Sequence, residues 1–203
     1  MNTITEATIN NLKKRGFAVT YFDTAAEAAA YLDRSIDGKT IGAGGSVTLH
    51  DMNIYEKLVS HNEIFWHWYA PQDVPMEETH KKAATAQVYL TSANAIAATG
   101  EIINIDGTGN RVASTLYGHE KVYIVSGVNK IAEDYDAALW RARNIASPKN
   151  AQRLAKNTPC ALKGDKCYDC NSPERICRGL VVLWEPMRGM EMEVVLIGEE
   201  LGY

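Results

Sequence analysis

No cysteine occurs before position 160, and no histidine stands among the cysteines that follow. No apolar run approaches the roughly 20 residues that a membrane-spanning helix needs. Positive charge is not in excess either: Lys+Arg 21 against Asp+Glu 25 leaves a net charge of -4. That balance argues against nucleic acid as a partner. The segment Met1 to Arg15 is polar and amphipathic and lacks the apolar stretch of a secretory signal, so the expectation is a cytoplasmic protein with no membrane partner. A chain with clustered cysteines and no export signal is not a disulfide framework. Repeats and low-complexity linkers are also missing, which leaves one domain spanning 1–203, with a four-cysteine segment at 157–179 inside it.

What is present is a 46% hydrophobic chain in which helix and strand patterns alternate. Thr3 with Glu6 reads as a capping box opening a helix that Gly16 closes, and Phe17 to Phe22 reads as a strand. Thr24 with Glu27 repeats the device for an Ala-rich helix toward Ile36, before a short strand at Thr40-Ile41. A helix at 49–60, a strand at Ile64 to Tyr69, a helix at Met76 to Ala86 and a strand at Val88 to Thr91 follow. Later come a short helix from Arg111 to Tyr117, a buried strand at Val122 to Ser126, a helix at Glu133 to Ile145 and a second one opened by Pro148 and running to Lys156. Two strands, Leu180 to Trp184 and Glu193 to Ile197, close the pattern. The alternation predicts an α/β fold with a mostly parallel sheet, helices on both faces and a C-terminal Cys-rich flap.

Two segments carry ligand chemistry. Gly42-Ala43-Gly44-Gly45-Ser46-Val47-Thr48 follows a strand and precedes a helix, so its amides and the Ser46 and Thr48 hydroxyls can converge on an anion. It lacks the lysine of a Walker A loop and the spacing of a dinucleotide fingerprint. A tight turn that holds nothing is the competing reading. In the second segment, Thr99, Gly100, Glu101, Asn104 and Asp106 lie on or beside an apolar strand, where Asn104 and Asp106 share a face. Arg111 follows, with a guanidinium suited to gripping a carboxylate or phosphate. An ordinary hairpin with Arg111 in a surface ion pair competes with that.

Cys160, Cys167, Cys170 and Cys177 place a chelating Cys-x-x-Cys pair between two outlying thiols. Lys163, Lys166, Arg175 and Arg178 interleave with them and can offset thiolate charge. These residues favour an iron–sulfur cluster, 4Fe-4S first, over zinc, with free thiols or disulfides as the remaining alternative.

The runs Gly44-Gly45-Ser46 through Thr48-Leu49, Ala95 to Glu101, and Val122 to Ser126 followed by Asn129-Lys130-Ile131 resemble LUD-domain (lactate utilization, LutC-like) proteins. The ending Pro159-Cys160, Cys167-Tyr168-Asp169-Cys170, Ser172-Pro173, Arg175-Ile176-Cys177 is similar to a branch of that family with a cysteine tail. The resemblance implies a Rossmann-like fold of the NagB, ribose-5-phosphate isomerase and CoA-transferase type. It also implies that the Gly-Gly-Ser loop holds a phosphate or similar group. The family's association is with oxidation of L-lactate to pyruvate beside iron–sulfur redox partner proteins, without a reaction fixed for this subunit. Glu101 stands where relatives often carry Thr or Ser, and by analogy with CoA transferases it is the candidate general base or nucleophile.

The expected function is therefore binding of a small anionic metabolite together with a four-cysteine metal centre, in organic-acid or redox metabolism. A non-catalytic regulatory or assembly subunit, and a transferase or isomerase acting on a phosphorylated or CoA-linked substrate, are the rivals; a homo-oligomer is compatible with each. His61, His67 and His80 form no helical pair and read as partly exposed or satisfied core residues, whereas His50 closely follows the glycine loop. Phe65, Trp66, Trp68 and Tyr69 read as strand packing. Glu191, Glu193, Glu199 and Glu200 read as a solvated edge.

Overall fold

The computed structural model describes all 203 residues, Met1–Tyr203. The first half comprises α1 (Thr3–Lys14), β1 (Ala18–Phe22), α2 (Ala25–Ser35), β2 (Thr40–Ala43), α3 (Val47–Asp51), α4 (Ile54–Leu58), β3 (Glu63–Trp66), α5 (Met76–Ala83) and β4 (Val88–Thr91). Then follow β5 (Ala95–Ala97), β6 (Ile102–Asp106), α6 (Asn110–Ser114), β7 (Lys121–Gly127), β8 (Ile131–Ala132) and α7 (Tyr135–Arg141). The chain ends with α8 (Ser147–Arg153), α9 (Pro159–Lys163), β9 (Gly179–Leu183) and β10 (Glu191–Ile197). No helix is long and apolar enough to cross a membrane.

Six strands form one sheet in the order β1-β10-β7-β4-β2-β3, every neighbouring pair parallel. Its central strands are buried on both faces, as a parallel sheet flanked by helices requires. Along β7 the two-residue period sends Tyr123 and Val125 into one core with Leu32, Ile41 and Leu90, and Val122 and Ile124 into the other with Leu12, Phe17 and Tyr89. A second sheet, β8-β5-β6-β9, is mixed, with β5–β6 and β6–β9 antiparallel. Strands at Asn104 to Asp106 and at Leu180 to Trp184 were expected, but their pairing into a second sheet was not, since β6 and β9 lie far apart in the sequence. It packs on α7 through Ala95, Ala97, Ala138 and Ala142, small side chains that let helix and sheet approach closely.

Several local expectations are corrected. Asn2, not Thr3, caps α1, its side chain accepting from Thr5 N at 3.0 Å. The Thr24–Glu27 capping box is present as expected. The two helices expected on either side of Pro148 are one rod from Tyr135 to Arg153, widened into a π turn over Ala142–Ala146. Proline lacks an N–H and its ring crowds the preceding turn, which a widened turn directly ahead of it relieves. Glu193 is not solvated. It is 3% exposed on β10, ion-paired with Lys121 at 2.9 Å, and it accepts from the Tyr31 hydroxyl at 2.8 Å.

Strand order fixes where a crevice forms. From β2 the chain moves outward to β3, and from β4 it moves the opposite way, through the second sheet, to β7. The loops after β2 and β4 therefore part company at the carboxyl ends of adjacent strands, the switch point at which open α/β sheets leave room for ligands.

Candidate anion cavity and cysteine cluster

The carboxyl ends of β2, β4, β7 and β10, four neighbours in the sheet, supply the walls of a cavity of about 70 Å³. Gly45, Ser46 and Val47 come from the loop after β2, Ser92 to Asn94 from the loop after β4, Lys130 from the turn after β7 and Tyr203 from the chain beyond β10. Asn150 and Arg153 of α8 close it from above. The Arg153 guanidinium lies 5.1 Å over the Trp68 ring and donates to the Tyr203 hydroxyl at 2.9 Å, while Asn150 accepts from both side chains. Lys130, Arg111 and Arg153 line the cavity and no Asp or Glu does. The backbone N–H groups of Gly45, Ser46 and Val47 donate to no protein acceptor. Helix α3 has only five residues, so those amides, rather than a helix dipole, are what the loop offers.

Lys130 is 3% exposed, and its Nζ donates to Thr48 Oγ1 at 2.8 Å and Ser92 Oγ at 3.0 Å. Burial, with Arg141 and Arg111 nearby, pushes the amine down to about 7. Arg141 fastens the walls: its Nε donates to Asn129 O at 3.1 Å and its Nη1 to Asn94 O at 2.6 Å.

The sequence-selected residues divide. Gly45 and Ser46 line the cavity, and Thr48 holds Lys130 from behind. Gly42 and Gly44 serve packing instead: a Cβ on Gly42 would lie 2.3 Å from Ala83 O, and one on Gly44 would lie 2.9 Å from Arg111 Cγ. Arg111 lines the cavity, but its fork is not free. It donates to Asn104 Oδ1, to Ile105 O at 2.8 Å and to Ser92 O at 3.4 Å, and it pairs with Asp106 at 3.3 Å. Asn104 and Asp106 do share a face, and they use it to pin Arg111. Arg111 therefore contributes charge rather than the grip expected from the sequence. Thr99, Gly100 and Glu101 are not brought to the cavity. The Glu101 carboxylate is held by Arg15 and by the Thr99 hydroxyl, and Arg15 Nε donates to Thr99 O at 2.8 Å, so this turn clasps α1. That commitment withdraws Glu101 as an acid/base candidate.

Lys130, Asn94, Asn150, Arg153 and Tyr203 were missed as site residues. The available signal was position, since Lys130 follows a buried strand closely, where a parallel sheet presents its ligand end. Trp68 lines the cavity as well as packing on Trp66, with ring centroids 5.7 Å apart. His50 turns away, its Nδ1 2.8 Å from the Tyr69 hydroxyl.

A wider chamber of about 380 Å³ adjoins the cavity, sharing Gly45, Trp68, Asn94, Arg111, Asn150 and Arg153 with it. His67 and His80 line this chamber with ring centroids 4.8 Å apart, and His67 Nδ1 and His80 Nε2 are buried without a partner. Both are partly exposed, as expected, but one ring nitrogen of each is left without a partner. Burial, then His80 and Arg153, push His67 down to about 4.

Cys160, Cys167, Cys170 and Cys177 are all free and half-buried, and all four line one small cavity with Arg143, Ser147, Thr158, Arg175 and Ile176. Arg143 Nη2 approaches Cys167 Sγ at 3.9 Å, and Arg175 donates to Cys170 O and Cys177 O, each at 2.9 Å. Cys177, ahead of Asp169, raises the Arg175 guanidinium above its ordinary value. No three acidic, cysteine or histidine side chains close to a shared ligating position in this structure. The segment also touches the first site: Ile176 lines the wider chamber, and Gly107 passes so near that a Cβ on it would lie 2.6 Å from Ile176 O.

The family model described as LUD domain matches residues 5–197. The crystal structure of a DUF162 family protein from Deinococcus radiodurans is similar in fold, with a TM-score of 0.54 at 15% identity, covering 96% of this chain and 96% of that one. No curated protein matches.

Proposed function

The chain belongs to the LUD-domain family, and from that premise we propose that it binds a small organic acid by its carboxylate in the cavity between β2 and β4, beside a four-cysteine metal centre. The observation that carries this reading is the lining: Lys130, Arg111 and Arg153 with no acidic residue, beside the unpaired amides of Gly45, Ser46 and Val47. Arg111 is already paired with Asp106 and Arg153 is exposed, so the buried cation without an Asp or Glu partner is Lys130, and an anionic ligand beside it removes the cost of its charge. Size narrows the choice. At ~10–15 Å³ for each water-sized site, a cavity of about 70 Å³ takes about five to seven non-hydrogen atoms. That suits a two- to four-carbon acid, whereas a phosphorylated sugar or a CoA ester would have to extend into the wider chamber.

The four cysteines line one small cavity with Arg143 and Arg175, and although no three of them close to a shared ligating position here, four cysteines in one segment are the donor types that an iron–sulfur cluster or zinc would use. An iron–sulfur cluster held by these cysteines would supply one-electron transfer, and the contact of the segment with the wider chamber through Ile176 supports a role in redox metabolism of the bound acid. With Glu101 committed to Arg15, binding rather than turnover at Glu101 is the supported activity.

Calorimetric titration of the full chain with L-lactate, pyruvate and inorganic phosphate tests the cavity. The expected result is saturable binding of a carboxylate that weakens about tenfold or more in Lys130→Met, the scale of a lost charged hydrogen bond. No binding of any of the three would remove the reading. Anaerobic purification with metal analysis tests the cysteines: iron with sulfide, or zinc, is expected at stoichiometric level and lost in the Cys167→Ser/Cys170→Ser variant. Full metal content in that variant would refute the assignment.

A further inference from the structure

The geometry points to Lys130 as a nucleophile that forms an imine with the carbonyl carbon of a small 2-oxo acid, a proposal that rests on the anion-site reading above. Lys130 is the only lysine lining the inner cavity, no Asp or Glu lines it, and Lys130 makes no salt bridge. Its Nζ is bonded to the hydroxyls of Thr48 and Ser92 at 2.8 and 3.0 Å. A hydroxyl can accept a hydrogen bond from an amine and can also donate one, so these partners suit an uncharged amine as well as an ammonium. An ammonium stapled for stability would call for a carboxylate or a set of backbone carbonyls. The depressed affinity of this amine for its proton agrees with that chemistry.

The same small cavity seats the acid group. A carboxylate accepting from the Gly45, Ser46 and Val47 amides has its neighbouring carbon within a space of only about 70 Å³ shared with Lys130. That confinement selects a carbonyl directly adjacent to the carboxylate, the 2-oxo acid, over a carbonyl farther along a chain. Arg141 keeps the amine and the loop after β4 in register by bonding Asn129 O and Asn94 O, so the nucleophile is held by rigid elements at two ends.

The step balances without a co-reactant. The Lys130 nitrogen lone pair forms a C–N bond to the carbonyl carbon, and the carbonyl oxygen takes the proton that nitrogen loses. The carbinolamine hydroxyl then takes the remaining nitrogen proton and leaves as water while the nitrogen electron pair forms the C=N bond. Ser92, which lines the cavity and is bonded to the amine, is the hydroxyl that can pass the proton between nitrogen and oxygen, while Thr48 holds the amine from behind. Nothing is oxidised or reduced.

The test is to treat the full chain with pyruvate and sodium borohydride, digest it and locate the adduct by mass spectrometry, with L-lactate, which has no carbonyl, titrated calorimetrically in parallel. The expected result is a Lys130 peptide heavier by pyruvate less one oxygen, formed in preference to adducts on the exposed lysines and suppressed by excess L-lactate. L-lactate binding without a Lys130 adduct would overturn the imine while leaving the anion site standing. Failure of both L-lactate and pyruvate to bind, with no adduct, would overturn the anion site and the imine with it. The wild-type measurement stands whether or not Lys130→Met folds.

Discussion

The Lys130 amine donates to the Thr48 hydroxyl at 2.8 Å across 82 positions of chain, joining the turn after β7 to the glycine loop after β2. This bond closes the back of the cavity, and the lysine makes no salt bridge with an acidic side chain. The consequences reach stability and pH response as well as binding.

The first consequence is a pH dependence. In the unfolded chain this amine keeps its proton up to about 10.5, whereas in the folded protein it gives it up at about 7. Between those values the unfolded state binds more protons, so the group's contribution to stability rises with pH, by at most about 1.4 kcal/mol per unit. Arg141 and Arg111 face Lys130 and reinforce the shift, while Asp51 opposes it. Urea unfolding of wild type and Lys130→Met at pH 7 and 9 should show wild type gaining on the variant at the higher pH. Parallel changes would contradict a buried neutral lysine.

Two adjacent glycines should answer substitution differently. A Cβ on Gly44 meets Arg111 Cγ at 2.9 Å and the Tyr89 hydroxyl at 3.0 Å, and Arg111 is too firmly held to yield. Gly44→Ala is expected to lose about 1–3 kcal/mol of stability in denaturant unfolding. At Gly45 a Cβ meets the His67 ring and Trp68 only at 3.5 Å, an ordinary contact, and Gly45 borders the cavity. Gly45→Val should unfold like wild type and bind lactate more weakly.

Glu101→Gln separates clasp from chemistry. With Arg15 and Thr99 as its partners, the expected change is a stability loss of about 1 kcal/mol, because the pair is partly exposed. Lactate affinity by calorimetry should match wild type. A changed affinity at unchanged stability would reinstate Glu101 as a site residue.

The parallel sheet was legible because buried strands such as Val122 to Val125 are continuous apolar runs between helical patterns. The Gly45-Ser46 loop was legible for the same kind of reason, since local turn chemistry marks it. What sequence reasoning could not reach was long-range pairing. Glu101 looked free because Arg15 lies 86 positions away, whereas Arg111 is held mainly by its neighbours Asn104, Ile105 and Asp106, with Ser92 and Asn94 adding longer contacts from another strand's loop. Lys130 and Arg153 carry no local signal of meeting, since only the strand order brings β7 beside β4 and lays α8 over both. His67 and His80 are a similar case, as a strand end and a helix supply one ring each.

Amide chemical shifts of nitrogen-15-labelled protein, followed as L-lactate is added, test the central claim most directly. The account predicts saturable shifts largest at Gly45, Ser46 and Val47, whose N–H groups have no protein acceptor, with smaller ones at Asn94 and Lys130. Saturable binding that leaves those three amides unmoved, or no shift anywhere at saturating concentration, would contradict it.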